Sequence, residues 1–314
     1  MPYRSTKYLT ASQADILKAA DLLDAGELVS FPTETVYGLG ADARNSAAVA
    51  QVFAAKGRPQ FNPLIVHVSS ANVAASYVQW PNTAELLADA FWPGPMTLVL
   101  PLKPGHGLSP LVTSGLPTLA IRVPAHPTAQ ALLAAFGGPV AAPSANPSGR
   151  ISPTTAAHVR AGLAGRISAI VDDGPCNVGV ESTIVDLQAA PTLLREGGVT
   201  REEIEAVLGC SMKEPADSGV LTAPGQMLSH YAPNASVRLN ATEARRGEVL
   251  LGFGDVQGNL NLSPSGDLAQ AAARLFGYLH QMDATEQLIA VAPIPNVGLG
   301  RAINDRLKRA AAPR

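Results

Sequence analysis

A lysine, an arginine, an asparagine and a histidine stand in one short run, Lys56-Gly-Arg-Pro-Gln-Phe-Asn-Pro-Leu-Ile-Val-His67, and together they can form one wall of an anion-binding pocket. Lys56 and Arg58 carry positive charge, Asn62 offers a neutral donor, and His67 can donate or accept near neutral pH. Pro59 and Pro63 forbid helix and stiffen the turn, so Arg58 and Asn62 project from a rigid connection. Each residue also has a plainer role open to it: Lys56 complementing a helix dipole, Arg58 as a surface cation, His67 as a sheet histidine. Their spacing around a single turn favours the pocket, and phosphate is the anion it suits.

Other candidates lie far off in sequence. Pro32-Thr-Glu-Thr-Val-Tyr-Gly-Leu-Gly40 follows a strand and is crowded with hydroxyls; it reads either as a site-lining strand end or as a Thr-rich strand. Arg122, in Leu119-Ala-Ile-Arg-Val, falls on the face opposite Leu119, Ile121 and Val123. A guanidinium there needs an anionic partner, either a protein carboxylate or a ligand. Pro143 to Pro153 is irregular, and its hydroxyls and amides can cradle an oxyanion, although Ser152 could simply cap the helix that follows. Asp172-Asp173 could touch a metal or sit in a turn. The Walker pattern, the Gly-x-Ser-x-Gly elbow and zinc spacings do not occur. Gly252 to Gly258 looks superficially like a dinucleotide fingerprint, but it is separated from the next helix and reads as a turn.

The elements that must hold these residues alternate. Helices are expected over Ser12 to Ala25, from Asn45 or Ser46 to Lys56 with Gly57 as the left-handed stop, and over Thr83 to Phe91, Pro127 to Phe136, Thr154 to Arg160 and Thr200 to Leu208. Strands are expected at Leu28 to Phe31, Leu64 to Val68, Met96 to Leu102, Leu119 to Val123, Pro139 to Ala142 and Ala169 to Val171. Alternation puts Leu64, Val66 and Val68 on one face and Ile65 and His67 on the other. Residues 211 to 234 read as a linker. A β-α-β-α unit follows: Glu248 to Phe253, Asp267 to Gln281, Leu288 to Val291, and a helix from about Leu299. The fold class is α/β with two domains.

The 314 residues are 46% hydrophobic and 15% charged, the composition of a globular protein, with a net charge of -2. That total hides an asymmetry: between Asp42 and Asp172, eight Lys or Arg face only Glu85 and Asp89, a net +6. A cationic middle in a near-neutral chain suits a small anionic ligand better than a nucleic-acid footprint. Cys176 and Cys210 cannot make a disulfide framework, and no apolar run reaches spanning length, so a cytoplasmic protein without a membrane is expected.

Several ordered motifs resemble the YrdC-like threonylcarbamoyl-AMP synthases: Phe-Pro-Thr-Glu-Thr-Val-Tyr-Gly-Leu-Gly, Lys-Gly-Arg-Pro-x-x-Asn-Pro-Leu-x-x-His, Trp92-Pro-Gly-Pro-Met-Thr, Ile121-Arg-Val-Pro, Ala142-Pro-Ser-Ala-Asn-Pro-Ser-Gly and Glu181-Ser-Thr. With Pro224-Gly-Gln-Met-Leu-Ser-His-Tyr-Ala-Pro233 and the extra unit, the chain is similar to the long form. The resemblance implies a YrdC-like twisted open sheet with a central cavity flanked by helices (1 to 210), an active-site-closing linker (211 to 234) and a smaller Rossmann-like α/β domain (235 to 314). It implies ATP, with Mg2+, L-threonine and bicarbonate as substrates, threonylcarbamoyl-adenylate and pyrophosphate as products, and tRNA or tRNA-modification proteins as partners. By motif, Thr35, His67, Arg122 and Ser182 would hold threonine. Lys56, Arg58, Asn62, Thr118, Ala142, Ser144, Ser152 and Arg195 would hold ATP, with Tyr231 closing the site and Lys56, Arg58 and His67 acting on the reacting groups. Ser229 stands where some relatives carry a cation. The metal ligands are left unassigned.

The alternatives are an RNA-binding module gripping phosphates without chemistry, and carbamoyl transfer to another acceptor. Salt separates the first: binding by a closed ATP pocket should fall shallowly with salt, whereas a steep slope with many released counterions would indicate RNA binding.

Overall fold

The computed structural model describes residues 5–215, 230–285 and 287–313. The linker expectation falls largely on 216–229, outside the described residues. β1 (Lys7–Thr10) leads through the N-cap Ser12 into α1 (Gln13–Asp24), which buries Ile16, Ala19, Ala20 and Leu23 at helical spacing. β2 (Val29–Phe31) and β3 (Gly38–Asp42) precede α2 (Ser46–Lys56), which Asn45 starts and Gly57, at φ 60, ends. That left-handed stop turns the chain into the Arg58 to Pro63 segment. There follow β4 (Ile65–His67), α3 (Ala71–Tyr77), α4 (Asn82–Phe91), β5 (Met96–Pro101), α5 (Pro110–Thr113), β6 (Thr118–Arg122) and α6 (Pro127–Phe136). After them come β7 (Val140–Ala141), α7 (Ala156–Leu163), β8 (Ala169–Asp172), β9 (Thr183–Asp186), β10 (Thr192–Arg195) and α8 (Arg201–Leu208).

The strands of this first unit make one mixed sheet in the order β1-β8-β2-β3-β7-β4-β6-β5-β9-β10. Two pairings matter most for function. β4 and β6 run parallel with His67 opposite Arg122, so the period-2 pleat sends both side chains to the same face. β5 and β9 run parallel with Thr97 opposite Ile184, which brings Thr97 Oγ1 within 2.8 Å of Ser182 Oγ just before β9. The other face of the central strands, with Leu64, Val66, Val68, Leu119 and Ile121, joins Val52 and Phe53 of α2 in the main core. α1 and α6 pack together beside Val29, Phe31 and Val140.

A second unit holds β11 (Val237–Arg238), β12 (Glu248–Gly252), β13 (Leu260–Asn261), α9 (Leu268–Asp283), β14 (Leu288–Val291) and α10 (Leu299–Ala310). Its four strands pair in parallel in the order β11-β14-β12-β13. Val36, Ile151 and Val180 of the first unit share a buried cluster with Phe276, Leu279 and Ile303 of the second, so the two units are joined by core.

The structure corrects several expectations. The helix expected from Thr154 begins at Ala156, and Thr155, not Ser152, caps it by accepting from His158 N. Ser152 is buried and donates to Glu181. β1, β9, β10, β11, β13, α3 and α5 were not expected: they are too short to show a period in sequence. Asp172 ends β8 and Asp173 follows it: Asp172 accepts from Tyr37 Oη and Gly174 N, and Asp173 from Thr128 Oγ1. Among the described residues no group of His, Cys, Asp and Glu could hold a metal ion.

At Gly179 the two units approach closely. It sits at φ +75, and a Cβ there would lie 2.4 Å from Ala272 O and 2.5 Å from Ala273 Cα of α9. Gly179→Ala should therefore destabilise the protein by about 1–3 kcal/mol, read as a lower urea midpoint. An unchanged midpoint would show that the seat of α9 is compliant.

Candidate active site

The register of the central strands opens a small cavity on the polar face of the sheet. Ile65 and His67 of β4, Arg122 of β6 and Ala142 after β7 form its floor. Thr33, Thr35, Val36 and Gly38 enter from the β2–β3 connection, Arg58 from the proline turn, and Pro143 and Ser144 from the irregular loop. Glu181, Ser182 and Arg195 close one side, and His230 and Tyr231 cover it.

Arg122 is the most tightly specified of these. Its Nε donates to Gly94 O at 3.1 Å, Nη1 to Thr35 Oγ1 at 2.9 Å and Nη2 to Glu34 Oε1 at 2.6 Å. The anionic partner that the sheet arginine requires is thus a protein carboxylate, Glu34. One N–H on each terminal nitrogen is still left for a ligand, and that is the fork geometry that grips a carboxylate. Gly94 can present its carbonyl only without a side chain, since a Cβ would come within 2.1 Å of Phe91 O.

Arg58 is held by its own turn, with Nε donating to Asn62 O at 3.2 Å and Nη2 to Pro63 O at 2.9 Å. Arg195 Nε donates to Ser182 O at 3.1 Å, and its Nη2 to Ser182 O at 2.9 Å and Ser182 Oγ at 3.1 Å. Lys56 Nζ donates to Ser144 O at 2.5 Å and Asn146 O at 2.6 Å, fastening the irregular loop to the end of α2. Burial lowers Arg58 to about 10 and lowers Arg195 as well. Burial, with Arg58 nearby, pushes Lys56 well below the ordinary lysine value. Cations weakened in this way are a sign that negative charge from a ligand belongs among them.

His67 is buried and held at about 3, by burial first and by Arg122 second, so it is neutral; its Nδ1 has no hydrogen-bond partner among the described residues. Tyr231 is 1% exposed and takes φ 59, a left-handed conformation uncommon for a bulky residue. Its ring lies against Phe276 and His230, and Ala232 N donates to Gly149 O. The chain after 229 is thereby pinned over the cavity.

Of the residues singled out from sequence, Thr35, Arg58, His67, Arg122, Ala142, Ser144, Ser182, Arg195 and Tyr231 line this cavity. Lys56, Asn62, Thr118 and Ser152 are buried outside its lining. Glu34, Gly94, His230 and Arg306 had no assigned role, and Glu181 was noted only as part of a motif. Glu34 was adjacent to Thr35 and carried the one discoverable signal, a carboxylate in a segment already singled out.

Residues 21–197 match the Sua5_yciO_yrdC family, described as "Telomere recombination", and residues 199–312 match Sua5_C, "Threonylcarbamoyl-AMP synthase, C-terminal domain". The chain is 41% identical to the threonylcarbamoyl-AMP synthase of Bacillus subtilis, covering 98% of this chain and 96% of the relative. It is 40% identical to that of Pyrococcus abyssi, covering 93% of each. The crystal structure of P. abyssi Sua5 complexed with L-threonine superposes with a TM-score of 0.89 at 37% identity, covering 98% of this chain and 97% of that one. Escherichia coli YciO, at 22% identity and a TM-score of 0.55, shares the fold over 63% of this chain.

His67 and His230 are both held at about 3, chiefly by burial. In the unfolded chain each takes up a proton below about 6.5, so their stabilising contribution is present above that pH and is lost as pH falls toward 3. His67→Gln should reduce the pH slope of unfolding free energy between pH 6.5 and 4.5 by up to about one proton, measured by urea titration. An unchanged slope would show that His67 charges inside the fold.

Proposed function

The chain belongs to the Sua5/YciO/YrdC family in its two-domain form and has threonylcarbamoyl-AMP synthase activity; we propose that the cavity under Tyr231 is where L-threonine, bicarbonate and ATP are joined. The observation that carries this reading is the convergence of Arg58, Arg122 and Arg195 on one cavity where, among the described residues, the two carboxylates at hand are already paired: Glu34 with Arg122 and Glu181 with Arg306. A triphosphate and an amino-acid carboxylate would supply the missing charge.

In this reading the threonine carboxylate takes the two remaining N–H groups of Arg122, and its hydroxyl meets Thr35 or Ser182. The amine of free threonine is protonated in neutral water, and a cavity rich in cations favours the neutral form that must react. His67, itself neutral, accepts a hydrogen bond from that amine and aims its lone pair. The nitrogen attacks the carbon of CO2, forming the N–C bond as a C–O π bond opens and the amine proton passes to solvent; from bicarbonate the C–OH bond breaks as well, and the hydroxyl leaves as water with that proton. A carbamate oxygen then attacks the α-phosphorus in line, and the bond to pyrophosphate breaks. Arg58 and Arg195 neutralise the phosphates, so catalysis is mainly positioning and electrostatics. Lys56 acts by fixing the loop that bears Ser144.

Magnesium fits as part of the substrate. The cavity offers Glu181 alone, already engaged by Ser152 and Arg306, and the described residues form no metal-ligating group. Mg2+ would therefore enter on the triphosphate oxygens and partly neutralise them. The product would feed threonylcarbamoyladenosine formation on tRNA, with tRNA-modification proteins as partners and a cytoplasmic location. No helix among the described residues is long and apolar enough to cross a membrane. A covered cavity suits small substrates better than an RNA strand.

A charge-assisted hydrogen bond contributes about 1.5–3 kcal/mol, so Arg58→Ala should lower threonine-dependent pyrophosphate release by about ten- to a hundred-fold or more. Near-normal release would remove Arg58 from the reaction.

A further inference from the structure

Glu181, the one carboxylate among the described residues that line the cavity, is held from the far end of the chain. Arg306, on α10 of the second unit, is 0% exposed and donates from Nε to Glu181 Oε2 at 2.9 Å and from Nη1 to Glu196 O at 2.5 Å. Its guanidinium carbon also lies 5.6 Å from the centre of the Tyr231 ring. Glu181 Oε1 in turn accepts from Ser152 Oγ at 2.5 Å. One buried side chain of the second unit thus touches both the residue that covers the cavity and the carboxylate in its wall.

We propose that Arg306 is a positioning residue for the reaction: it keeps Glu181 ionised and fixed, so that Ser152 and Tyr231 hold their places around the substrates, and the second unit thereby completes the site. The inference rests on the reaction proposed above. An ionised Glu181 commits the Ser152 proton to itself and leaves the Ser152 lone pairs facing away from it. A protonated Glu181 would donate instead, and Ser152 would turn. The Glu181 carboxyl experiences burial, which would raise it. Arg306, then Arg195 of β10 and the Ser152 hydrogen bond, outweigh that and keep it below the usual carboxylate range. The other charged or titratable groups facing this cluster are His230 and Tyr231 of the covering segment, Arg58 of the proline turn, Asp305 beside Arg306 on α10, and His280 of α9, whose Nε2 lies 3.2 Å from Ser152 O; burial keeps His230, Tyr231 and His280 neutral at pH 7. Arg306 is therefore the main counter-charge, and the interior makes its removal felt at Glu181.

The test is the pH profile of threonine-dependent pyrophosphate release by the full chain, for wild type, Arg306→Met and Arg306→Met with Glu181→Gln. Wild-type release checks the reaction itself; if it is absent, the reading of the site fails independently of Arg306. With wild type active, Arg306→Met should lose about ten-fold or more at pH 7 and show an acid limb moved up by about one unit or more. Adding Glu181→Gln, which keeps an acceptor for Ser152 but cannot titrate, should remove that limb. An acid limb unmoved in Arg306→Met, or one that persists after Glu181→Gln, overturns the proposal, because a merely structural arginine would lower activity without moving a titration. Arg306→Gln replaces Arg306→Met in the same comparison, with the same two outcomes, should the methionine variant not fold.

Discussion

Buried positive charge is the constraint around which this molecule is arranged. Arg58, Arg122 and Arg195 reach one cavity, and Lys56 lies just behind it. Taking such groups out of water is costly unless acceptors surround them. The fold supplies most of those acceptors from backbone: carbonyls of Asn62 and Pro63 for Arg58, Ser182 for Arg195, Ser144 and Asn146 for Lys56, and Gly94 for Arg122. Carbonyls satisfy hydrogen bonds without cancelling charge. The cavity consequently stays electropositive, which is what an anionic substrate needs on arrival.

Two buried ion pairs stand beside the cavity. Glu34 pairs with Arg122 and Glu181 with Arg306. The first pair aims the guanidinium that would take an amino-acid carboxylate. The second links the catalytic sheet to the last helix. Because Val36, Ile151 and Val180 also share a core with that unit, the covering residue Tyr231 is gripped from both sides. The second unit is built into the wall of the cavity.

Much of this was legible because the governing rules are local. The stop at Gly57 follows from the left-handed preference of glycine, and the shared face of His67 and Arg122 from strand alternation. The apolar stripe of α1 came from helical spacing. What escaped involved distant or very short pieces. Glu34 lies just before Asp42, where the count of scarce acids began, so the partner of Arg122 fell outside the stretch considered. Glu181 and Arg306 are far apart in sequence, and no periodicity connects them. Ser152 looked like a cap because it precedes a helix, yet Thr155 occupies that position and leaves Ser152 to a carboxylate. The two-residue strands β11 and β13 exist through pairing with longer neighbours, which sequence pattern cannot express.

The central claim is that separate buried cations serve one nucleotide and one amino acid together. A crystal structure of the protein with L-threonine and a non-hydrolysable ATP analogue tests it most directly. The account predicts the threonine carboxylate on Arg122, beside Glu34 and Thr35, and the phosphates within hydrogen-bond reach of Arg58 and Arg195 under Tyr231. Nucleotide bound elsewhere, with those arginines keeping only their protein acceptors, would contradict it.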